Sequence, residues 1–490
     1  MKRFWSAIGL STLILTLLCE LVLPGTGAAD SSDTDSLSPS QISLEKDENG
    51  RQYPSMSSAL ARLVLADSPH SPGESAAFRG RPSSAGIGDN RVRVIVEASG
   101  SDTERLISRL AENGANLEAS HGNLIQVDAL VRMLPDIALL EGVRFVRLPA
   151  IPVPQVTTEA LDSLGVPAWH DAAYSGSGVK VAILDGGFAG YQSLLGTELP
   201  GTVTVYHPTG GDDISGWGSH GAACAEIVAD IAPEADMFLA FFRTEVEWMN
   251  AVDWLIDQKV DVISHSVSWM FAGPGDGTGW GCEKVAQSRS AGVTWLQSAG
   301  NYNQTHWQGR FSDPNSNNVH NFTPYDETNR IWVQGGKKVT AAMRWDDPWD
   351  ASTNDYDLYL LDSYGATIAS STDIQDGDDH PEEMLESFVY ASGWYSLQIR
   401  RVSANGLARF DLYTVDKELQ HQVLWGSIMD PADASAAITV GAFPWYDPQA
   451  VRDFSGRGPT GDDRTKPDLM APDGISTVSY GDAFEGTSAS

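Results

Sequence analysis

The stretch GVKVAILDGG, residues 178–187, decides the fold. Residues 179–184 are apolar except for one lysine, and Asp185 with two glycines ends the run. A short, continuous apolar run predicts a strand that is buried on both faces, as in a parallel sheet covered by helices. MFLAFF, DVISHSVS and GVTWLQSAGN have the same character, and helical patterns separate them. The sequence therefore predicts an α/β fold built on a parallel sheet.

The chain is long and strongly acidic. Its 490 residues are enough for several domains, and 65 Asp and Glu against 32 Lys and Arg give a net charge of -33. Nucleic-acid binding needs a basic surface, so we exclude nucleic acid as a partner. The same carboxylates are potential ligands for hard cations such as Ca²⁺.

The N-terminus has the features of a secretion signal. Two basic residues precede an apolar run at about residues 8–23, and small residues follow. This pattern predicts a signal peptide over residues 1–29 and a secreted or extracytoplasmic protein. The alternative is a membrane anchor, which Glu20 and Pro24 disfavour because they shorten the apolar run. After signal removal we expect no membrane span.

Three further segments precede or interrupt the parallel α/β region. Residues 30–90 are rich in Ser, Asp, Gly and Pro, which predicts a mostly disordered spacer. Residues 91–150 alternate strand and helix patterns and predict a small α/β module, with Ser101 and Glu104 at capping-box spacing. Residues 319–415 are short alternating segments split by turn residues, which predicts an all-β sandwich.

The sandwich divides the parallel α/β domain into two parts, residues 156–318 and 416–490. Once the signal is removed, this domain carries the two remaining cysteines, Cys224 and Cys282. They can pair in an oxidising compartment or stay as buried thiols, and the sequence leaves both alternatives open.

Four polar residues lie where parallel sheets gather reactive groups. Asp185 and Asn301 each end a predicted strand, His220 opens a predicted helix in GSHGAACAEIVA, and Ser488 lies in GTSAS. Each has an ordinary structural explanation, such as a helix cap or a turn. Together they supply a nucleophile, a base, a carboxylate that orients the base and an amide donor, which are the parts of acyl-transfer chemistry.

In that chemistry Ser488 attacks a carbonyl carbon while His220 takes its proton and passes it to the leaving amine. Asp185 holds the imidazole tautomer and stabilises its charged form. Asn301 donates a side-chain N–H to the developing oxyanion, an effect worth about 3 kcal/mol. No cofactor is required for this chemistry.

The four polar residues can be compared with a known family through six stretches of sequence: VAILDGG, GSHGAACAEIVADIAPEA, SHSVSW, LQSAGN, FSGRGPTGDDRTKPDLMAPDG and GTSAS. Their order and contexts resemble those of the subtilisin-like serine proteases, the subtilases. The resemblance implies that Asp185, His220 and Ser488 are the catalytic triad and that Asn301 is the oxyanion residue. The related sedolisins carry Glu and Asp in place of His220 and Asn301, which argues against that group.

The resemblance also implies a substrate site. Ser266, Val267 and Ser268 match the strand that pairs with an extended protein or peptide substrate, and Ala299 and Gly300 lie on the facing strand. Binding by strand addition recognises the backbone of the substrate more than its side chains.

The two flanking modules also resemble known ones. The module at 91–150 looks like a subtilase propeptide, which implies an intramolecular inhibitor that is removed by self-cleavage near 149–156. The β segment resembles the pre-peptidase C-terminal-like sandwich through DYDLYLLDSYG. In many relatives that domain trails the catalytic domain, whereas here it interrupts it.

The sequence departs from the family pattern at three places. Gly186 stands where the family has a hydroxyl residue, and Ala222 stands where it has threonine, so we expect a reduced rate. In subtilases a long buried helix follows the nucleophile. Since nothing follows Ser490 in this sequence, we expect an incomplete or truncated chain.

An acidic cluster gives a possible calcium site. It comprises Asp346, Asp347, Asp350, Asp355 and Asp357. Carboxylates at such density can hold a structural Ca²⁺, and the alternative is a solvated acidic loop. The metal ligands stay unassigned.

The leading hypothesis is a secreted serine endopeptidase, made as a zymogen, that hydrolyses peptide bonds through an acyl-enzyme. The first alternative is a catalytically inactive subtilase homologue that acts as an extracellular binding or scaffold protein. A third is a carbohydrate- or surface-binding β protein with a vestigial protease body. The four polar residues favour the first hypothesis, and the two missing hydroxyls keep the second open.

Overall fold

A computed structural model describes residues 55–57, 60–61, 63–64, 90–100, 102–149, 152–154, 161 and 163–490. The predicted signal peptide and most of the predicted spacer lie outside these residues. Within the described part of the chain, no helix has the length and apolar character needed to cross a bilayer.

The N-terminal module is a four-stranded antiparallel sheet with two short α-helices. Its elements are β1 (Arg91–Ala98), α1 (Thr103–Glu112), β2 (Asn116–His121), β3 (Leu124–Leu130), α2 (Leu134–Ala138) and β4 (Val143–Arg147). The strands lie in the order β2-β3-β1-β4. Asp102 caps α1, and its carboxylate accepts a hydrogen bond from Arg105 N at 3.2 Å, whereas the predicted capping residue Ser101 lies outside the described residues. The sequence did not indicate β2, because this edge strand is mostly exposed or half-buried and lacks an apolar face.

A short segment of the predicted spacer is ordered. Met56, Leu60 and Val64 are buried in the core of the N-terminal module. Backbone hydrogen bonds tie the segment to β4, from Val146 N to Ser55 O at 3.0 Å and from Ser57 N to Val146 O at 2.9 Å. The prediction of disorder is wrong for these residues, because Met56 forms a β-bridge with Val146, and Leu60 and Val64 lie on one face of a helical turn that covers the sheet.

The first part of the parallel α/β domain follows. Its elements are β5 (Pro152–Pro154), α3 (Val166–Asp171), β6 (Lys180–Asp185), α4 (Tyr191–Leu194), β7 (Thr204–Tyr206), α5 (His220–Ile231), β8 (Asp236–Phe241), α6 (Glu245–Asp257), β9 (Val262–His265), β10 (Val267–Trp269), α7 (Trp280–Ser290) and β11 (Thr294–Ser298). The single strand predicted for DVISHSVS is therefore two strands, β9 and β10.

The inserted region is a sandwich of two four-stranded antiparallel sheets, as predicted. Its strands are β12 (His306–Arg310), β13 (Asn329–Val333), β14 (Lys337–Trp345), β15 (Asp355–Leu361), β16 (Thr367–Ser371), β17 (Glu382–Val389), β18 (Gly393–Ser403) and β19 (Arg409–Thr414). Because β12 pairs with β19, the sandwich begins before residue 319. HWQGR gave no clear strand signal, since Trp307 is its only large apolar residue.

Two of the last strands, β20 (Ile438–Pro444) and β21 (Leu469–Asp473), belong to the parallel sheet. The other two, β22 (Ile475–Thr477) and β23 (Gly481–Phe484), form a separate two-stranded antiparallel sheet. The seven strands lie in the order β21-β20-β11-β9-β6-β8-β7, and every neighbouring pair is parallel. The two parts on either side of the sandwich therefore form one sheet, which confirms the predicted α/β fold with an all-β insert.

Strand β6 shows why the sheet is covered on both sides. Ala182 and Leu184 belong to the same core as Trp248 of α6, whereas Ile183 belongs to the core that contains α5. Alternate side chains of the strand thus meet helices on opposite faces, which explains the continuous apolar run in the sequence.

We expect the sandwich core to contribute to stability. Leu360 is fully buried between the two sheets, so Leu360→Ala should lower the free energy of unfolding by about 2–5 kcal/mol in urea denaturation. Leu407→Ala is the matched control, because that side chain is 59% exposed, and it should change stability by less than about 0.5 kcal/mol. Equal losses in the two variants would contradict this packing.

Candidate active site

A buried hydrogen bond joins the predicted base to the predicted carboxylate. Asp185 ends β6, His220 opens α5, and the Asp185 Oδ2 oxygen accepts from His220 Nδ1 at 2.6 Å. Asp185 is fully buried and His220 is 2% exposed. Since a carboxylate only accepts, the proton lies on Nδ1 and leaves Nε2 as the basic nitrogen of the neutral ring.

Glycines allow α5 to approach the end of β6 closely. The Gly221 N–H donates to Gly187 O at 2.7 Å, and a Cβ on Gly221 would lie 2.7 Å from the Asp185 Cβ. A side chain at residue 221 would therefore separate the helix from the strand and stretch the Asp185–His220 hydrogen bond.

The missing hydroxyl at Gly186 has a steric explanation. A Cβ on Gly186 would lie 1.9 Å from the ring of Trp217, and the Trp217 N–H donates to Gly186 O at 2.9 Å. The indole packs edge-to-face on Phe242, with ring centroids 5.8 Å apart. The sequence analysis missed Trp217, which occupies the space that a side chain at residue 186 would need.

Asn301 contacts the loop that carries the predicted nucleophile. Its Oδ1 accepts from Thr487 N at 2.9 Å, and Gly300 N donates to Thr487 Oγ1 at 3.0 Å. Because Oδ1 is the acceptor, the amide nitrogen Nδ2 is the group that can donate to a ligand. The structure thus brings Asn301 beside Ser488, the next residue along the loop.

Ser488 lies against Ser266. The Ser488 hydroxyl donates to Ser266 O at 3.3 Å, and the Ser266 hydroxyl donates to Ser488 O at 3.3 Å. Ser266 also contacts the Cys224 thiol, and Cys224 Sγ lies within 4.8 Å of an Asp185 oxygen and a His220 ring nitrogen. These contacts place the serine loop beside the Asp185–His220 pair.

The hydrogen bonds expected from Asp185 through His220 to Ser488 are only partly formed. His220 Nε2 is buried and has no hydrogen-bond partner among the described residues. The Ser488 hydroxyl is directed to Ser266 O instead. The structure therefore forms the Asp185–His220 hydrogen bond but not a hydrogen bond from Ser488 to His220.

The predicted substrate strand binds an extended segment of the chain itself. β5 pairs antiparallel with β10, with Val153 opposite Ser268 and Pro154 opposite Val267. The predicted facing residues are not part of this two-stranded sheet. Ala299 N donates to Val440 O at 2.8 Å, and Gly300 O accepts from Gly456 N at 2.6 Å.

The two cysteines are free, buried thiols, so the disulfide alternative is wrong. Cys282 Sγ donates to an Asp433 oxygen at 3.2 Å. Burial raises the pKa of both thiols above the ordinary value, which keeps them protonated and weakly nucleophilic.

The proposed calcium ligands do not converge. Within the described residues, no three of the five predicted carboxylates bring ligand oxygens within 4.8 Å of one another. Asp347 instead accepts hydrogen bonds from Ser352 Oγ at 2.9 Å and from Asn354 N at 2.9 Å. Its oxygens therefore stabilise the loop that leads into β15.

Comparison with known proteins agrees with the geometry. Residues 176–345 match the subtilase family. The match contains Asp185, His220 and Asn301 and extends into β14 of the sandwich, whereas Ser488 lies beyond it. The family is one of serine proteases, and the parallel sheet with its helices is the subtilisin-like α/β fold.

Solved structures similar to this chain share little sequence with it. The CspB protease of Clostridium perfringens is 15% identical with a TM-score of 0.44, covering 66% of this chain and 83% of that one. The epidermin leader peptide processing serine protease of Staphylococcus aureus is 11% identical with a TM-score of 0.37, covering 79% and 75%. The pre-peptidase C-terminal domain of Bacillus anthracis collagenase is 12% identical with a TM-score of 0.15, covering 24% and 90%. At these identities the activities of those proteins are not evidence for the activity of this one.

The contact of Trp217 with Gly186 can be tested by a double-mutant cycle. Gly186→Ser alone should destabilise the fold by about 1–3 kcal/mol, because the new side chain overlaps the indole. In Gly186→Ser/Trp217→Ala the overlap is absent, so the double variant should be more stable than the sum of the single changes predicts.

Gly201→Ser is the control, since a Cβ there meets nothing within 4 Å. It should leave the denaturation midpoint unchanged. Strict additivity of the two changes at residues 186 and 217 would show that the indole does not occupy this space in solution.

Proposed function

We propose that the protein is a secreted serine endopeptidase, made as a zymogen, in which Asp185, His220 and Ser488 form the catalytic triad. The observation that carries the proposal is the buried Asp185–His220 hydrogen bond with an unpartnered Nε2, next to the loop that holds Ser488. A neutral imidazole oriented by a carboxylate is the base that activates a serine in acyl transfer. The subtilase match supports the assignment of Asp185 and His220, which lie within the matched residues.

In the proposed reaction, the Ser488 hydroxyl turns from Ser266 O to His220 Nε2. Its oxygen then attacks the carbonyl carbon of the scissile peptide, and its proton moves to Nε2. The imidazolium is stabilised by Asp185 and donates the proton to the leaving amine. Water next hydrolyses the acyl-enzyme, with His220 acting again as base and then as acid.

Asn301 is the proposed oxyanion donor. Its Oδ1 accepts from Thr487 N, which fixes the orientation of the amide and leaves Nδ2 as the donor for a ligand. A preorganised donor of this kind stabilises the tetrahedral intermediate by about 3 kcal/mol. The neighbouring strand β10 would bind an extended protein or peptide substrate by backbone pairing, as it pairs with β5.

The N-terminal module is the proposed propeptide and intramolecular inhibitor. It precedes β5, which occupies the edge of β10 where the substrate would pair. The module also binds the N-terminus of α6, because Arg147 forms an ion pair with Glu245 at 2.5 Å, while Glu97 of the same module holds the Arg147 side chain at 2.7 Å. Cleavage near 149–156 would cut the chain at or beside β5, and dissociation of the module together with β5 would leave the edge of β10 open to a substrate.

An inactive homologue that binds peptides is the second candidate function. The hydrogen bond from Ser488 to Ser266 favours it, since the hydroxyl is not directed to the base. Labelling of the nucleophile separates the two candidates.

A fluorophosphonate probe reacts with activated serines and should label the full, processed protein. Ser488→Ala should abolish labelling, whereas Ser193→Ala, a change at an exposed serine of α4, should not affect it. Asp185→Asn should reduce the labelling rate by roughly 10⁴-fold, because the amide favours the wrong imidazole tautomer. A folded, processed protein that never reacts with the probe would exclude the protease and favour the peptide-binding alternative.

Self-cleavage gives an independent test of the zymogen proposal. Mass spectrometry of the purified protein should find a new N-terminus within 149–156, and Ser488→Ala should keep the N-terminal module attached. Arg147→Ala should speed its dissociation, since the change removes the ion pair with Glu245 of α6. Identical processing of Ser488→Ala in a protease-free host would rule out self-cleavage.

A further inference from the structure

A buried aspartate outside the proposed triad contacts the serine loop. Asp473 ends β21 and is fully buried, and its Oδ1 accepts from Gly486 N at 2.5 Å. Gly486 lies two residues before Ser488. None of the roles assigned above uses Asp473. A buried carboxylate destabilises the fold unless its contacts compensate for the lost hydration.

The position of Asp473 is fixed from two sides. Its backbone O accepts from Trp445 N at 3.0 Å, next to the pairing of β21 with β20. Its Oδ2 forms an ion pair with Arg452 Nε at 2.5 Å, and Arg452 also contacts Glu485 at 3.4 Å. The carboxylate therefore bridges a cation attached to the sheet and a backbone N–H of the loop.

Three consecutive loop residues are each held by a different strand end. Asp473 of β21 holds Gly486, Asn301 after β11 holds Thr487, and Ser266 before β10 holds Ser488. Asp473 supplies the first of these contacts and has the only negative charge among the three holding groups. A hydrogen bond to an ionised carboxylate is shorter and stronger than one between neutral groups.

We propose that Asp473 is a positioning residue that holds Gly486, and through it Ser488, in register for attack. The proposal rests on the proposed function of Ser488 as nucleophile. Asp473 touches neither substrate nor the reacting atoms, so its effect should fall on the rate of acylation and not on substrate binding.

The environment of Asp473 makes the contact sensitive to pH. Burial raises its pKa to about 6, although the Gly486 N–H and Arg452 favour the ionised form. The charged groups that face it are Arg452 and Glu485. Above pH 6 the carboxylate is ionised and accepts strongly from Gly486, and below pH 6 it is protonated and accepts weakly.

The raised pKa of Asp473 has the opposite pH dependence in its effect on the stability of the fold. Because the pKa of Asp473 is higher in the folded state than in the unfolded chain, its contribution to stability is greatest below the unfolded pKa. That contribution is lost as the pH rises through about 6. Above pH 6, therefore, the ionised carboxylate holds the serine loop for the proposed reaction but makes the folded state less stable.

The test compares Asp473→Asn and Asp473→Ala with the wild type in the full protein, on an extended chromogenic peptide from pH 5 to 9. Asp473→Asn should lower kcat about tenfold and leave KM within about twofold, because a neutral acceptor holds the loop less tightly. Its kcat should also depend less steeply on pH between 5 and 7. Asp473→Ala should lose more, about 100-fold, since no acceptor remains.

Asp447→Asn is the matched control, because Asp447 is exposed and its carboxylate accepts from Gln449 N of its own turn, so the kinetics of this variant should be unchanged. Thermal denaturation at pH 5 and pH 8 corrects each kcat for the folded fraction. If the corrected kcat and the pH profile of both Asp473 variants equal those of the wild type, the proposal is wrong.

A second readout does not need activity. Hydrogen exchange of the peptide that contains Gly486 should be slow in the wild type and faster in Asp473→Asn at pH 8. Unchanged exchange would overturn the positioning role even if the wild type has no protease activity. An inactive wild type with the expected exchange difference would instead refute the proposed function and leave the Asp473 contact in place.

Discussion

The buried hydrogen bond between Asp185 and His220 is the interaction on which the rest of the site depends. A carboxylate without solvent is stable only if nearby donors replace its water, and here the donors are the His220 ring and the Gly187 N–H. This requirement fixes the distance between β6 and α5 and leaves no room for a side chain at Gly221. The glycine at residue 221 is therefore a consequence of this short contact, whereas Gly186 is confined by the Trp217 ring.

Much of the fold could be predicted from the sequence because burial leaves a pattern. Apolar runs such as VAILD are required where both faces of a strand are covered, and the alternating segments after residue 337 are required in a two-sheet sandwich. The pattern fails where a strand buries little, as in β2 and β12. The pattern also gave the wrong prediction for Met56, Leu60 and Val64, because these regularly spaced apolar residues lie within a polar stretch that was predicted to be disordered.

The candidate site was predictable to the extent that chemistry restricts residue type. A nucleophile, a base and an orienting carboxylate have few possible side chains, so Asp185, His220 and Ser488 could be selected from their contexts. Trp217 and Asp473 could not, because any residue type can fill space or accept a hydrogen bond. Their roles depend on contacts with Gly186 and Gly486 that only the folded chain creates.

The inserted sandwich explains how Asn301 and Ser488 can be distant in sequence and adjacent in space. β11 and β20 pair directly, so the chain leaves the sheet and returns to the neighbouring strand. The sandwich also contacts the segment after β10, where Arg344 donates to Gly273 O at 2.9 Å and pairs with the buried Asp430 at 3.1 Å. The sandwich is therefore connected to the parallel α/β domain at both of its ends and through Arg344, beside the segment that follows β10. These contacts make the insert part of the packing of that domain and not an independent module.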